Sequence, residues 1–334
     1  MEHSIKSKLH EDRELFLDLL KMTSDSLSIP IHIVEKDYYI SLVLKSLSKS
    51  SHCARIVFKG GTSLSKAFQL IDRFSEDVDF AVISTGMTGN KVKNLLSDLI
   101  KEVTTDLTED LNFPDITKGS KYRKQAFNYA SCLNFGMQMN PIPARVIVEI
   151  SAFANPFPHE KCSIEPLVTT FLKQKDMKEF VEQYDVDSFQ LNVLSLQQTL
   201  CEKLVALIRF SMAEDSLGSL SSKIRHFYDI EALLHKTSLV QYTQSDAFIK
   251  DMELLIHHDQ QAFNEPRLWG SLSDIADAPI IHSFLAMWDR KLALEYERNL
   301  SAIAYGDIPS QEQIAATFAS LLQQLQKIRI SPTT

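Results

Sequence analysis

Cysteine is scarce in this sequence: its 334 residues hold four, Cys53, Cys132, Cys162 and Cys201, far apart and never as a CxxC pair. That pattern argues against a disulfide framework and a zinc knuckle and fits a reducing compartment. Long apolar runs are missing as well. No stretch of about 18 apolar residues occurs, and the start, MEHSIKSKLHEDRELF, lacks the apolar core of a secretory leader. A cytoplasmic protein without a membrane span is the expectation. Positive charge is in deficit, at a net −8, which argues against wholesale coating of nucleic acid and leaves local recognition of a polyanion open. Several catalytic signatures are also absent. There is no GxSxG elbow, no HExxH and no GxGxxG, and the P-loop pattern fails because Ser65 stands where a glycine should precede Lys66. Internal repeats, low-complexity tracts and long heptad seams are lacking too.

What is present is enough material for about two packed domains, with 44% hydrophobic residues. Two helices are predicted at the start, from "EDRELFLDLLKMTSDSL" and "HIVEKDYYISLVLKSLSK", with Pro30 interrupting them. "RIVFKGG" reads as a short strand ending in glycines, "TSLSKAFQLI" as a helix capped near Thr62 or Ser63, and "DVDFAVI" as a second strand. "KVKNLLSDLIKEVTTDL" has helical spacing. "FNYASCLNFGM" and "ARVIVEISAF" read as two further strands joined by the turn "NPIP". The proline-rich "ANPFPHEKCSIEP" leads into a segment with no clear period to about residue 190, and beyond it "SLQQTLCEKLVALIRF", "LSSKIRHFYDIEALLHK" and later runs keep helical spacing. This predicts an α+β organisation, with initial helices and a mixed core in residues 1–185 and a helical domain in 186–334.

The stretch "FKGGTSLSKAFQLIDRFSEDVDF" concentrates chemistry. A glycine pair after a strand lets backbone amides approach a phosphate, so Gly60 and Gly61 suit a phosphate turn, although an ordinary strand-to-helix turn has the same form. Residues i and i+2 of a strand share a face, so Asp77 and Asp79 stand side by side. Two such charges are costly together unless a cation lies between them, and magnesium commonly takes one or two carboxylates with the phosphates of a substrate. A metal–nucleotide site is the reading; two acids on the wet face of a strand end is the plain alternative.

Elsewhere the plain readings hold. "HHDQ" has no metal-ligand spacing, which makes His257 and His258 surface residues, and Trp269 and Trp288 sit among core-spaced apolar residues. "KGSKYRK" is the densest basic run: Lys118, Lys121, Arg123 and Lys124 surround Tyr122, as a solvated loop or as a nucleic-acid contact.

"GGTSLSK" followed by "RFSEDVD" resembles the first two motifs of the nucleotidyltransferase superfamily, specifically the AbiEii/AbiGii-type abortive-infection toxins. "VEKDYYISLVL" is similar to that family's opening helix, "EKLVAL" to its lysine motif and "KIRHFYDI" to its last motif, so the likeness runs from residue 34 to 230. The resemblance implies a polymerase-β-like mixed sheet with flanking helices, then a helical C-terminal domain. It implies transfer of a nucleoside monophosphate from an NTP, with Mg2+ in a two-metal site. The acceptor would be the 3′ end of tRNA or another RNA, a protein or a small molecule, and a cognate antitoxin would be a partner in toxin–antitoxin or phage defence. A nucleotide-binding module without turnover is the alternative. By the same resemblance Gly60, Gly61 and Thr62 cradle the triphosphate, Lys66 neutralises it, and Arg73 pairs with phosphate or braces the strand. Asp77 and Asp79 hold the metal; Lys203 and Asp229 match the essential lysine and late aspartate. Glu149 is a candidate third carboxylate. By alternation it shares a face with Ile147 and Ser151, turned either to the site or to solvent.

Overall fold

Asp12 opens α1 (Arg13–Leu27) by accepting the Leu15 N–H, and the helix ends in left-handed Ser28, before Pro30 starts α2 (Ile31–Lys49). The structure is a computed structural model that describes residues 7–133 and 142–330. The first six and last four residues lie outside it, as do 134–141, which hold the last four residues of "FNYASCLNFGM" and the first two of "NPIP".

The chain divides into two compact units, Met1–Gln69 with Phe74–Val193, and Leu70–Arg73 with Leu194–Thr334. In the first, α2 leads to β1 (Ile56–Lys59), α3 (Gly60–Lys66), β2 (Asp77–Val82) and α4 (Gly89–Val103). Then come β3 (Thr108–Glu109), β4 (Thr117–Lys118), β5 (Tyr122–Asn128), β6 (Arg145–Ser151) and β7 (His159–Ile164). After α5 (Leu167–Gln174) and α6 (Lys178–Gln183), β8 (Phe189–Leu194) completes the set. Among the described residues the strands form one mixed sheet in the order β3-β5-β6-β2-β1-β8-β7, with β4 on β5. β2 runs antiparallel to β1 and parallel to β6, and β6 runs antiparallel to β5.

Alternation gives that sheet one dry face. Val78, Phe80 and Val82 of β2 and Val146, Val148 and Ile150 of β6 pack with Leu19, Tyr38, Leu44, Leu96 and Phe171 from α1, α2, α4 and α5. Burying each such side chain contributes about 1.5–3 kcal/mol, so a one-residue slip of β2 is prohibitive. The face opposite is therefore set by packing and carries Asp77, Asp79 and Glu149.

Three elements depart from the sequence reading, the first being β8, which falls in the expected helical stretch 186–334 but pairs parallel with β1 in the sheet. The helix expected over 62–71 is α3, which starts at Gly60 and stops at Lys66; Gln69 then takes a left-handed φ of 51°. The strand expected to begin at Phe127 begins at Tyr122, because pairing along β6 draws "YRK" into the ladder. The basic run is thus strand as well as loop.

The second unit is helical: α7 (Leu196–Ser211), α8 (Ser216–Ser221), α9 (Arg225–Leu234), α10 (Thr237–Thr243), α11 (Asp246–Ala262), α12 (Pro279–Met287), α13 (Ala293–Ile303) and α14 (Gln311–Leu325). Its core rings include Phe227, Phe284, Trp288 and Phe318, and Trp269 is fully buried, so both tryptophans are packing residues. Among the described residues no helix is long and apolar enough to cross a membrane.

Candidate active site

The register of the sheet gathers the acids. Asp79 lies level with Glu149 on β6 and with Lys59 on β1, and Lys124 on β5 lies level with Glu149 in turn. The Lys124 ammonium is 3.4 Å from Glu149 Oε2, and the Tyr122 hydroxyl hydrogen-bonds Glu149. Burial works against the Lys124 charge, but Glu149, then Asp77, outweigh it and raise its pKa. The ammonium therefore sits in the joint field of all three carboxylates. Glu149 faces the same side as Asp77 and Asp79, with a resident cation of its own. Arg123, one residue before Lys124, turns to the opposite face, and Lys118 pairs with Glu109 at 2.7 Å. The run "KGSKYRK" hence divides between two faces of the sheet.

The turn before α3 is shaped by Asp79. Gly60 has φ +79°, and a Cβ placed on it would overlap the Asp79 carboxylate. Ser63 Oγ donates to the Gly60 carbonyl at 2.8 Å, and the Thr62 hydroxyl donates to the Asp77 carbonyl. The glycine turn and the paired acids are one packed object. Gly60→Ala is expected to cost about 1–2 kcal/mol of backbone strain and to push Asp79 off its position. A thermal melt should show the first, and at least about a tenfold weaker metal affinity the second. A variant with wild-type metal affinity would disprove the coupling.

Lys66 is engaged elsewhere than at the acidic face: its ammonium lies 2.6 Å from Asp37 Oδ1 and 2.8 Å from the Glu165 carbonyl.

In the second unit Asp229 on α9 is 0% exposed. Its Oδ1 accepts from Arg73 Nε at 2.7 Å, and its Oδ2 accepts from Arg73 Nη2 at 2.7 Å and Lys203 Nζ of α7 at 2.6 Å. Burial would raise the carboxyl's pKa; Arg73 first, then Lys203, hold it well below the usual carboxylate range. Burial, followed by the Lys203 charge, keeps His226 well below its usual pKa and neutral. Arg225 lies four residues before Asp229, one helical turn away on α9. Asp229 takes Arg73 and Lys203 instead.

The family described as the AbiEii nucleotidyl transferase toxin of type IV toxin–antitoxin systems matches residues 42–324. The chain belongs to this family. It is therefore a nucleotidyltransferase of a toxin family, and membership implies a cognate antitoxin. Two solved structures are similar. JHP933 from Helicobacter pylori is 16% identical, with 89% of this chain and 92% of that one covered and a TM-score of 0.39. The nucleotidyltransferase toxin MenT4 from Mycobacterium tuberculosis is 15% identical, with 88% and 94% covered and a TM-score of 0.35. No curated protein matches the chain.

For an AbiEii-family enzyme the donor set has the right chemistry. Hard divalent cations take oxygen ligands, and Asp77 and Asp79 offer two carboxylates on one strand face, beside a backbone turn stripped of its Cβ. Among the described residues no three His, Cys, Asp or Glu side chains converge into a ready cage. Two carboxylates completed by phosphate oxygens and water match that arrangement. Asp37 went unassigned in the sequence reading, and Tyr122 and Lys124 were read there only as members of a basic run, not as neighbours of the acids. The available signal for Asp37 was the run "EKD" inside an otherwise apolar helix; Lys124 needed the β5–β6 register.

Proposed function

We propose that this AbiEii-family enzyme transfers a nucleoside monophosphate from an NTP to a hydroxyl of an RNA acceptor, the 3′ end of tRNA, using Mg2+. The observation that carries this is the acidic face, with Asp77 and Asp79 packed against Gly60 and Glu149 in register beside them. In the reaction the acceptor oxygen bonds to the α-phosphorus, the bond from that phosphorus to the oxygen bridging to the β-phosphate breaks, pyrophosphate leaves and the hydroxyl proton passes to water. Asp77 and Asp79, with Glu149 as a further candidate, would hold the two metal ions, which would neutralise phosphate oxygens at both ends of the displacement. Gly60, Gly61 and Thr62 border the triphosphate. Lys203 stabilises charge on the transferring phosphates, with Asp229 orienting its ammonium. Arg73, committed to Asp229 through two bonds, braces the segment before β2. Lys124 and Tyr122 supply a cation and a ring of the kind that grips single-stranded nucleic acid.

The test is label transfer. Purified full-length chain, each α-labelled NTP, Mg2+ and total RNA should give labelled tRNA and free pyrophosphate, with the label removed by 3′ exonuclease. Label on protein would replace the acceptor. NTP binding without transfer to anything would reduce the chain to a binding module.

A further inference from the structure

Three consecutive charges on α2 are buried, with Glu35 1%, Lys36 0% and Asp37 9% exposed. Burying charge is costly unless each group is fully bonded, so the partners reveal the purpose. Glu35 accepts from the Cys132 N–H and Ser131 Oγ, both at 2.8 Å, and Lys36 donates to the Pro143 carbonyl at 3.0 Å. These two tie down the chain on either side of the β5–β6 connection. Asp37 leads somewhere else. Its Oδ2 accepts the Leu167 N–H of α5 at 2.8 Å, and its Oδ1 takes the Lys66 ammonium at 2.6 Å.

Lys66 is the last residue of α3, and the first residue of α3 is Gly60, against which the Asp79 carboxylate rests. Within α3 the Thr62 hydroxyl holds the Asp77 carbonyl. An unbroken run of packed and bonded groups therefore leads from Asp37 through Lys66 and a seven-residue helix to both acids of β2. A helix this short has little stability of its own, so its placement depends on what holds its ends. The Lys66 ammonium is secured at one end, by a carboxylate and the Glu165 carbonyl together.

We propose that Asp37 and Lys66 are a positioning pair for the transfer reaction, setting α3 so that Asp77 and Asp79 present their carboxylates to the metal. This rests on the reading of Asp77 and Asp79 as metal ligands. It differs from a direct role for Lys66 on the triphosphate in what each variant disturbs. A phosphate contact acts on nucleotide binding and leaves Asp37 irrelevant. A positioning pair acts on the metal, equally from either member.

The experiment measures Mn2+ binding to the full chain by electron paramagnetic resonance without nucleotide, alongside kcat, KM for NTP and thermal unfolding. Asp37→Asn and Lys66→Met are each expected to weaken Mn2+ binding and lower kcat by about tenfold, the scale of losing a group that supports metal ligands. KM for NTP should stay within about twofold, and the double variant should be no worse than the more impaired single one, as contacting residues behave. Lys66→Arg, which keeps a donor for Asp37, should recover most of the Mn2+ affinity. If Asp37→Asn fails to fold, the Lys66→Met and Lys66→Arg comparison decides: equal impairment of Mn2+ binding overturns the pair. Lys66→Met with a raised KM and wild-type Mn2+ affinity overturns it also, and so do losses that multiply in the double variant. Asp77→Asn is the control for the underlying reading. Were it to bind Mn2+ as the wild type does, the metal assignment itself would fall, whatever the Asp37 variants show.

Discussion

Asp77→Asn and Asp79→Asn are each expected to abolish transfer, by at least about a thousandfold or roughly 4 kcal/mol of barrier, while the chain remains folded. The size follows from what the carboxylates do. A divalent ion held there would neutralise charge on the triphosphate oxygens, and an amide of the same shape binds such an ion poorly. The folded state loses little in exchange. Asp77 and Asp79 lie on the side of the sheet they share with Glu149, with Lys124 in their field, so an isosteric amide leaves the apolar packing of β2 intact. The melting temperature of either variant without metal should stay close to that of the wild type. Added Mn2+ should raise it for the wild type only, because a ligand that binds the native state stabilises it by mass action. Wild-type transfer rates in both variants would remove the acidic face from the mechanism.

Lys203→Met is expected to fold and to lose about a hundredfold or more in kcat, roughly 3 kcal/mol, the cost of losing one preorganised donor to developing charge. Methionine keeps the apolar stem, and Asp229 keeps its two bonds to Arg73, so the buried carboxylate stays satisfied. Asp229→Asn is the contrasting case. It strands the Arg73 and Lys203 charges in a buried place, and removing one member of such a network costs about 3–5 kcal/mol of stability. Both variants lose activity, but one melts like the wild type and the other does not. Cells that cannot tolerate induced wild-type protein should tolerate either.

The pH dependence follows from the direction of the Asp229 shift. Its folded pKa is depressed below the unfolded value of about 3.9, so its contribution to stability is fully present above that value and is lost as pH falls through the lower, folded one. The stability gap between wild type and Asp229→Asn should therefore be flat from about pH 5 to 8 and narrow only in strong acid. A gap that closes near neutral pH, or a fully active Lys203→Met, would contradict the assignment.

Much of the fold was legible because periodicity is a local property. The 3.6-residue spacing of α1, α2 and α7 and the alternation in "DVDFAV" and "RVIVEIS" are written in neighbouring residues, and they specify which side of each element is dry. So was the pairing of Asp77 with Asp79, since i and i+2 of a strand always share a face. The motif order that marks the family is likewise a property of the linear chain. What the residues alone could not decide was everything set by register or by charge compensation at a distance. Glu149 had two open orientations until parallel pairing of β6 with β2 set it level with Asp79. Lys124 belonged to a basic run until β5 joined the sheet and carried it to the carboxylates, while Arg123 went to the other face. Lys66 and Arg73 had the charge for phosphate, and a cation's partner cannot be read from its neighbours in sequence: Asp37 lies 29 residues from Lys66, and Asp229 lies 156 from Arg73. Burial raises the cost of an unpaired charge so steeply that such long-range partners are specified by the packed interior, and only the tertiary structure brings them together.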